Sequence, residues 1–73
     1  MKVKELIERL STMNPNADVF VDGYEGGYDE VIPANVRESR MMMKPFHSQD
    51  SYTGIFESHK DGYIEGVIIS RTT

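Results

Sequence analysis

The chain has 73 residues and contains neither cysteine nor tryptophan. Without cysteine there are no disulfide bonds and no thiolate metal sites, and this composition fits a reducing compartment. No apolar run approaches the roughly 20 residues that a membrane-spanning helix needs, and the N-terminal residues are charged and amphipathic, unlike a signal peptide. We therefore expect a cytoplasmic protein without a membrane partner.

Basic residues are missing from a long central stretch. No lysine or arginine occurs between Arg9 and Arg37, and five of the 12 acidic residues lie there. The net charge of −4 is therefore local, because eight basic residues elsewhere balance the other seven acids. An acidic region attracts cationic partners and repels phosphate backbones, so we expect no direct binding to nucleic acid.

The length limits the chain to one domain, residues 1–73. A chain this short buries only about 60% of the surface that its unfolded form exposes. Because disulfides are excluded, self-association is the expected source of extra stability, which predicts a homo-oligomer. Residues 44–51 are polar and are expected to form a mobile loop.

Apolar spacing predicts one helix and several strands. Apolar residues recur at intervals of three and four from Val3 to Met13, as in an amphipathic helix, and Pro15 ends the pattern. Strands are predicted at residues 18–22, 35–43, 53–57 and 63–70. The sequence therefore predicts an α+β fold, with one N-terminal amphipathic helix packed on a small antiparallel sheet of three to four strands.

The strand sequences also predict an arrangement. Residues 67–69 are apolar on both faces, which favours a central strand. Residues 35–43 have no clean apolar face, which favours an edge strand or one covered by a partner. Asp61 and Gly62 are typical of a type I′ turn, and would join the last two strands as a hairpin.

The candidate site is the segment of residues 22–30, which holds three glycines, two tyrosines and four acids. A turn needs only one or two residues that tolerate positive φ, so the tyrosines and acids remain available to a partner. Tyrosines give rigid contact area and acids steer a basic surface towards it. The predicted partner-binding residues are Tyr24, Glu25, Tyr28, Asp29 and Glu30.

Catalysis is not expected. His47 and Asp50, with Ser48 or Ser51, supply the residue types of a hydrolytic triad, but all of them lie in one polar loop. A triad requires a rigid scaffold to assemble its members. Acid catalysis by the carboxylates of residues 22–30 would need environments that separate two pKa values, which an open acidic loop rarely provides.

Metal and cofactor sites are not expected either. The acids of residues 22–30 lack the spacing of a calcium loop. His47 and His59 with Glu57 are zinc-ligand types, but exposed loop histidines seldom bind zinc. The glycines lack the helix that follows a phosphate-binding loop, and the acids would repel a nucleotide.

A second hypothesis places the function on basic residues. Arg37, Arg40 and Lys44 offer a cationic surface along the second long strand. At an oligomer interface they would bind an anionic metabolite or a nucleotide, as a sequestering protein does. Strand alternation places Arg40 on the face opposite to Arg37.

Residues 3–30 combine a helix, a proline-containing turn, a strand and a stretch rich in glycine and acids. This segment resembles the opening of many short proteins carried by bacteriophages and prophages. The resemblance implies an accessory protein in the cytoplasm of a bacterial host that acts on a host protein or a host defence. With the candidate site, it predicts a non-enzymatic interaction module whose partner has a basic surface.

Overall fold

The computed structural model describes residues 1–46 and 54–71. The elements in chain order are helix α1 (Val3–Leu10), strands β1 (Phe20–Asp22) and β2 (Tyr28–Glu30), a 3-10 helix (Pro33–Asn35), and strands β3 (Val36–Met43), β4 (Phe56–Ser58) and β5 (Ile64–Ile69). The fold is α+β with small antiparallel sheets, as predicted. Two compact units are present, residues 1–36 with the segment from residue 69 on, and residues 37–68. The expectation of one domain stays a prediction.

Helix α1 (Val3–Leu10) is held at both ends by local hydrogen bonds. At its start, the Lys2 N–H donates to Glu5 Oε1 at 2.9 Å. At its end, the Thr12 hydroxyl donates to the Arg9 carbonyl at 2.9 Å. Such side-chain bonds compete with continued helix, so the helix stops before the apolar spacing does.

Strand β3 is the centre of the three-stranded sheet, whose order is β4-β3-β5. Strand β4 pairs antiparallel with it, with Met41 opposite Ser58 and Met43 opposite Phe56. The predicted positions of the two long strands are therefore wrong, since residues 63–70 supply the edge strand and residues 35–43 the central one. The prediction assumed that a central strand is buried and therefore apolar. Every residue of β3 keeps some exposure to solvent, so polar side chains are compatible with its central position.

The link between β4 and β5 crosses from one side of β3 to the other. Its turn is closed by the Gly62 N–H, which donates to the His59 carbonyl at 2.9 Å. The predicted hairpin of the last two strands is wrong, because β4 and β5 lie on opposite sides of β3 and neither Asp61 nor Gly62 has the positive φ of a type I′ turn. Gly62 serves a close approach instead: a Cβ there would lie 2.7 Å from the backbone N and O of Met41.

Apolar side chains stay exposed on several elements. No side chain is fully buried in the part of the chain that the structure describes. On α1, Val3 and Ile7 are 55% and 61% exposed, and on β5 Val67 is 44% exposed. Apolar area of this kind is available for a second molecule to cover.

The predicted loop at residues 44–51 lies outside the described residues from position 47 on. At its start, the Lys44 N–H donates to the Ile55 carbonyl at 2.7 Å, which extends the β3–β4 ladder. Within residues 1–46 and 54–71, no helix has the length and apolar character needed to cross a membrane.

Candidate functional site

Strands β1 and β2 form a β-hairpin within the candidate segment. They pair antiparallel, with Phe20 opposite Glu30 and Asp22 opposite Tyr28. Directly opposite residues project to the same side of a sheet, and so do residues two apart on one strand. These four side chains therefore share one surface, which we name the hairpin face.

The turn of the hairpin fixes its register. The Gly27 N–H donates to the Tyr24 carbonyl at 3.1 Å. The central residues Glu25 and Gly26 have φ values of 50° and 81°, both positive as in a type I′ turn. The Gly23 N–H donates to the Gly27 carbonyl at 2.8 Å, so Gly27 bonds to both Gly23 and Tyr24. This one extra residue on the β1 side of the turn gives the register in which Asp22 lies opposite Tyr28.

Glu25 is a non-glycine residue in the left-handed region, where Asn is better tolerated. We expect Glu25→Asn to raise the free energy of unfolding by roughly 0.5–1 kcal/mol, because it relieves this backbone cost. Gly26→Ala should lower it by about 1 kcal/mol, since alanine resists positive φ. Urea unfolding followed by circular dichroism measures both. A less stable Glu25→Asn variant would show that the glutamate side chain makes a compensating contact.

The hairpin face combines aromatic and acidic side chains. Phe20 and Tyr28 are 54% and 71% exposed, and they line an apolar depression of about 380 Å³. Asp22 and Glu30 lie on the same face, and neither carboxylate has an ion pair within residues 1–46 and 54–71. A cationic side chain can stack on an aromatic ring while a carboxylate accepts its hydrogen bonds. The face is thus complementary to an arginine or lysine.

The structure divides the predicted partner-binding residues among three places. Tyr28 and Glu30 lie on the hairpin face, whereas Asp29 projects from the other side of β2 and is part-buried. Tyr24 and Glu25 belong to the turn at the tip. The predicted residues therefore belong to one hairpin but do not form one surface.

Sequence reasoning missed two residues of the hairpin face, Phe20 and Asp22. Phe20 lies in the predicted strand at residues 18–22, and Asp22 lies both in that strand and in the candidate segment, for which no second strand is predicted. The remaining signal was Gly26, since the second central residue of a type I′ turn is usually glycine. Folding the chain back there brings β2 beside β1.

The three basic residues of the second hypothesis lie on or next to β3. Arg37 and Arg40 are three positions apart on one strand, so they project from opposite faces. Arg40 Nη1 donates to the Gly62 carbonyl at 3.1 Å and is engaged within the chain. Lys44 follows the end of the strand. Anion binding by these residues stays a prediction.

Only some of the residues that could supply a catalytic triad or a zinc site lie in the described part of the chain. His47, Ser48, Asp50 and Ser51 lie outside the described residues. Among those described, no group of three or more His, Cys, Asp or Glu residues is placed to hold a metal ion. His59 Nδ1 accepts the Asp61 N–H at 3.1 Å, a contact within the turn after β4.

The resemblance of residues 3–30 to phage proteins stays a prediction after comparison with protein families, curated proteins and solved structures. No family model, no curated protein and no solved structure matches the chain.

Proposed function

We propose that the chain is a non-enzymatic protein-interaction module whose hairpin face binds a basic surface of another protein. The observation that carries the proposal is the placement of Phe20, Asp22, Tyr28 and Glu30 on one exposed face. The aromatic rings supply contact area, and the carboxylates supply attraction and orientation. In the setting that the resemblance implies, the partner is a host protein that this small accessory protein inhibits.

The lack of internal partners supports a surface used in binding. Asp22 and Glu30 have no ion pair in the described part of the chain, so a partner's cation would meet carboxylates that are still free. Exposed carboxylates are also less costly to bring into an interface than buried ones, because the rim of an interface keeps contact with water. The hairpin face therefore offers a pre-formed recognition surface.

The backbone of Glu25 gives independent support. A non-glycine residue in the left-handed region costs of order 1–2 kcal/mol, and such residues cluster at functional sites. No hydrogen bond or ion pair of the Glu25 side chain offsets this cost among the described residues. A contact with a partner at the tip of the hairpin would offset it.

The charges of the hairpin face provide the first test. Asp22→Asn combined with Glu30→Gln is expected to weaken partner binding by roughly tenfold and to reduce its salt dependence, because the two carboxylates steer encounter and bond the partner's cations. Affinity capture from lysate of the bacterial host identifies the partner. Surface plasmon resonance with the purified partner at several salt concentrations then measures the rates.

Asp29→Asn is the matched control, since it removes one carboxylate from the same strand but from the other side of the hairpin. It should retain most of the affinity. Equal losses in the control and in the double variant would show that only the net charge matters. Unchanged binding by the double variant would reject the hairpin face as the partner site.

A further inference from the structure

We propose that β5 (Ile64–Ile69) is a dimerisation edge, on which a second copy of the chain adds its own β5 in antiparallel orientation. Strand β5 has one neighbour, β3, in the sheet that the structure describes. An open edge presents unpaired N–H and C=O groups, which another strand can satisfy. This inference concerns a second copy of the chain and does not depend on the proposed partner.

The hydrogen bonds of β3 establish which residues of β5 face the open edge. The Lys44 N–H donates to Ile55 and the Arg40 carbonyl accepts from His59, so even-numbered residues of β3 turn towards β4. The odd-numbered residues, including Ser39, then turn towards β5, because backbone direction alternates along a strand.

Gly66 lies beside Ser39, since a Cβ on Gly66 would approach the Ser39 carbonyl oxygen to 3.3 Å. The backbone groups of Gly66 therefore point to β3, and those of its neighbours on either side point away. The outward set consists of Glu65, Val67 and Ile69. No hydrogen bond outside the strand ladders uses the backbone of Glu65 or Val67 in the described chain.

The side chains of β5 favour a neighbour on the open edge. Ile64 and Ile68 lie on one face of the strand, and Val67 and Ile69 lie on the other. Apolar residues on both faces are typical of a strand inside a sheet, yet this chain places β5 at the rim. Pairing with a second copy would make β5 internal and would protect an edge that otherwise promotes aggregation.

Symmetry and hydrogen bonding select one register. A two-fold axis perpendicular to the sheet pairs residues of the same face, so the axis passes through a residue that pairs with its own copy. With Val67 on the axis, Val67 pairs with itself and Glu65 pairs with Ile69. This register uses the backbone groups of the whole outward set, whereas an axis through Gly66 leaves Ile69 unpaired.

The same register brings opposite charges together. Arg71 follows the end of β5, and the Ser70 N–H continues the pairing beyond that end by donating to the Asn35 carbonyl at 3.0 Å. On this strand line, Glu65 lies diagonally across from Arg71 of the second copy, and the symmetry repeats the pair. Both residues are exposed, and neither has an ion pair within the residues that the structure describes. Long side chains reach across such a diagonal, so the pairs favour this register over others.

The test exchanges these charges and measures the dimer dissociation constant by sedimentation equilibrium. The wild-type chain is expected to dimerise at micromolar concentration. Glu65→Arg alone and Arg71→Glu alone should each raise the Kd about tenfold, because two attractive pairs become repulsive. The double variant should return the Kd to within about threefold of wild type. Circular dichroism confirms that each variant is folded.

Glu57→Arg on β4 is the control, since it reverses a charge on the opposite edge of the same sheet. It should leave the dimer intact. A monomeric wild-type chain would overturn the proposal, as would a dimer whose Kd is insensitive to either single reversal. Failure of the double variant to restore the Kd would overturn the register and the proposed pairing.

Discussion

Gly62→Ala is expected to lower the free energy of unfolding by about 3 kcal/mol, the upper part of the usual range for overpacking. The added Cβ would lie 2.7 Å from the Met41 backbone and 2.8 Å from the Arg40 carbonyl carbon. Backbone atoms of a central strand have little freedom to move away, so the link after β4 must shift instead. That shift would also strain the 3.1 Å hydrogen bond from Arg40 to the Gly62 carbonyl.

Thermal and urea unfolding followed by circular dichroism measure this loss. For a chain of this length we expect the Tm to fall by roughly 12–24 °C, from about 4–8 °C per kcal/mol. The φ of Gly62 lies outside the positive region, so an alanine at this position has no backbone strain. The difference in stability between Gly62→Ala and wild type therefore measures the steric clash of the added Cβ. Gly62→Ser should behave like alanine, because it adds the same Cβ.

Gly66→Ala is the matched control on the same sheet. Its Cβ would meet Met41 Cγ at 2.6 Å and the Ser39 carbonyl oxygen at 3.3 Å. A methionine side chain can rotate away from the closer contact, and the contact with Ser39 needs a shift of only a few tenths of an ångström. We expect a loss of less than about 1 kcal/mol there. If the Tm of Gly62→Ala is no lower than the Tm of Gly66→Ala, the close approach of residue 62 to the backbone of β3 is contradicted.

The local elements were predictable because they depend on neighbouring residues. The helical spacing around Leu6 and Ile7 predicted α1, and residues 35–43 predicted β3 (Val36–Met43) almost to its ends. The sheet order was not predictable, because it depends on which strand Gly62 crosses. The sequence does not distinguish a glycine that is needed for close approach of two backbones from a glycine that is needed for a turn.

The candidate segment was chosen from its composition, whereas the arrangement of its residues depends on strand pairing. Composition identified Tyr28 and Glu30 because aromatic and acidic residues are conspicuous between glycines. It did not identify Phe20, because Phe20 joins the hairpin face only through the pairing of β1 with β2. That pairing depends on the positive φ of Glu25, a conformation that glutamate rarely adopts and that its residue type does not suggest.

The largest effect on the proposed function is expected from the aromatic residues of the hairpin face. Phe20→Ala combined with Tyr28→Ala should weaken partner binding by about 1,000-fold, since truncation of two central aromatic residues at about 2 kcal/mol each costs about 4 kcal/mol. The two charges of the face should matter less, because rim charges act mainly on the association rate. Surface plasmon resonance with the partner should show the aromatic loss in the dissociation rate.

Tyr63→Ala tests whether this loss is specific to the hairpin face. Tyr63 is 69% exposed and Tyr28 is 71% exposed, so both substitutions remove a similar accessible ring. Because Tyr63 lies outside the hairpin, its substitution should leave the affinity within about twofold of wild type. Urea unfolding of all three proteins separates lost contact from lost folding. An equal loss of affinity from Tyr63→Ala, or unchanged binding by the double variant, would place the partner site elsewhere on the chain.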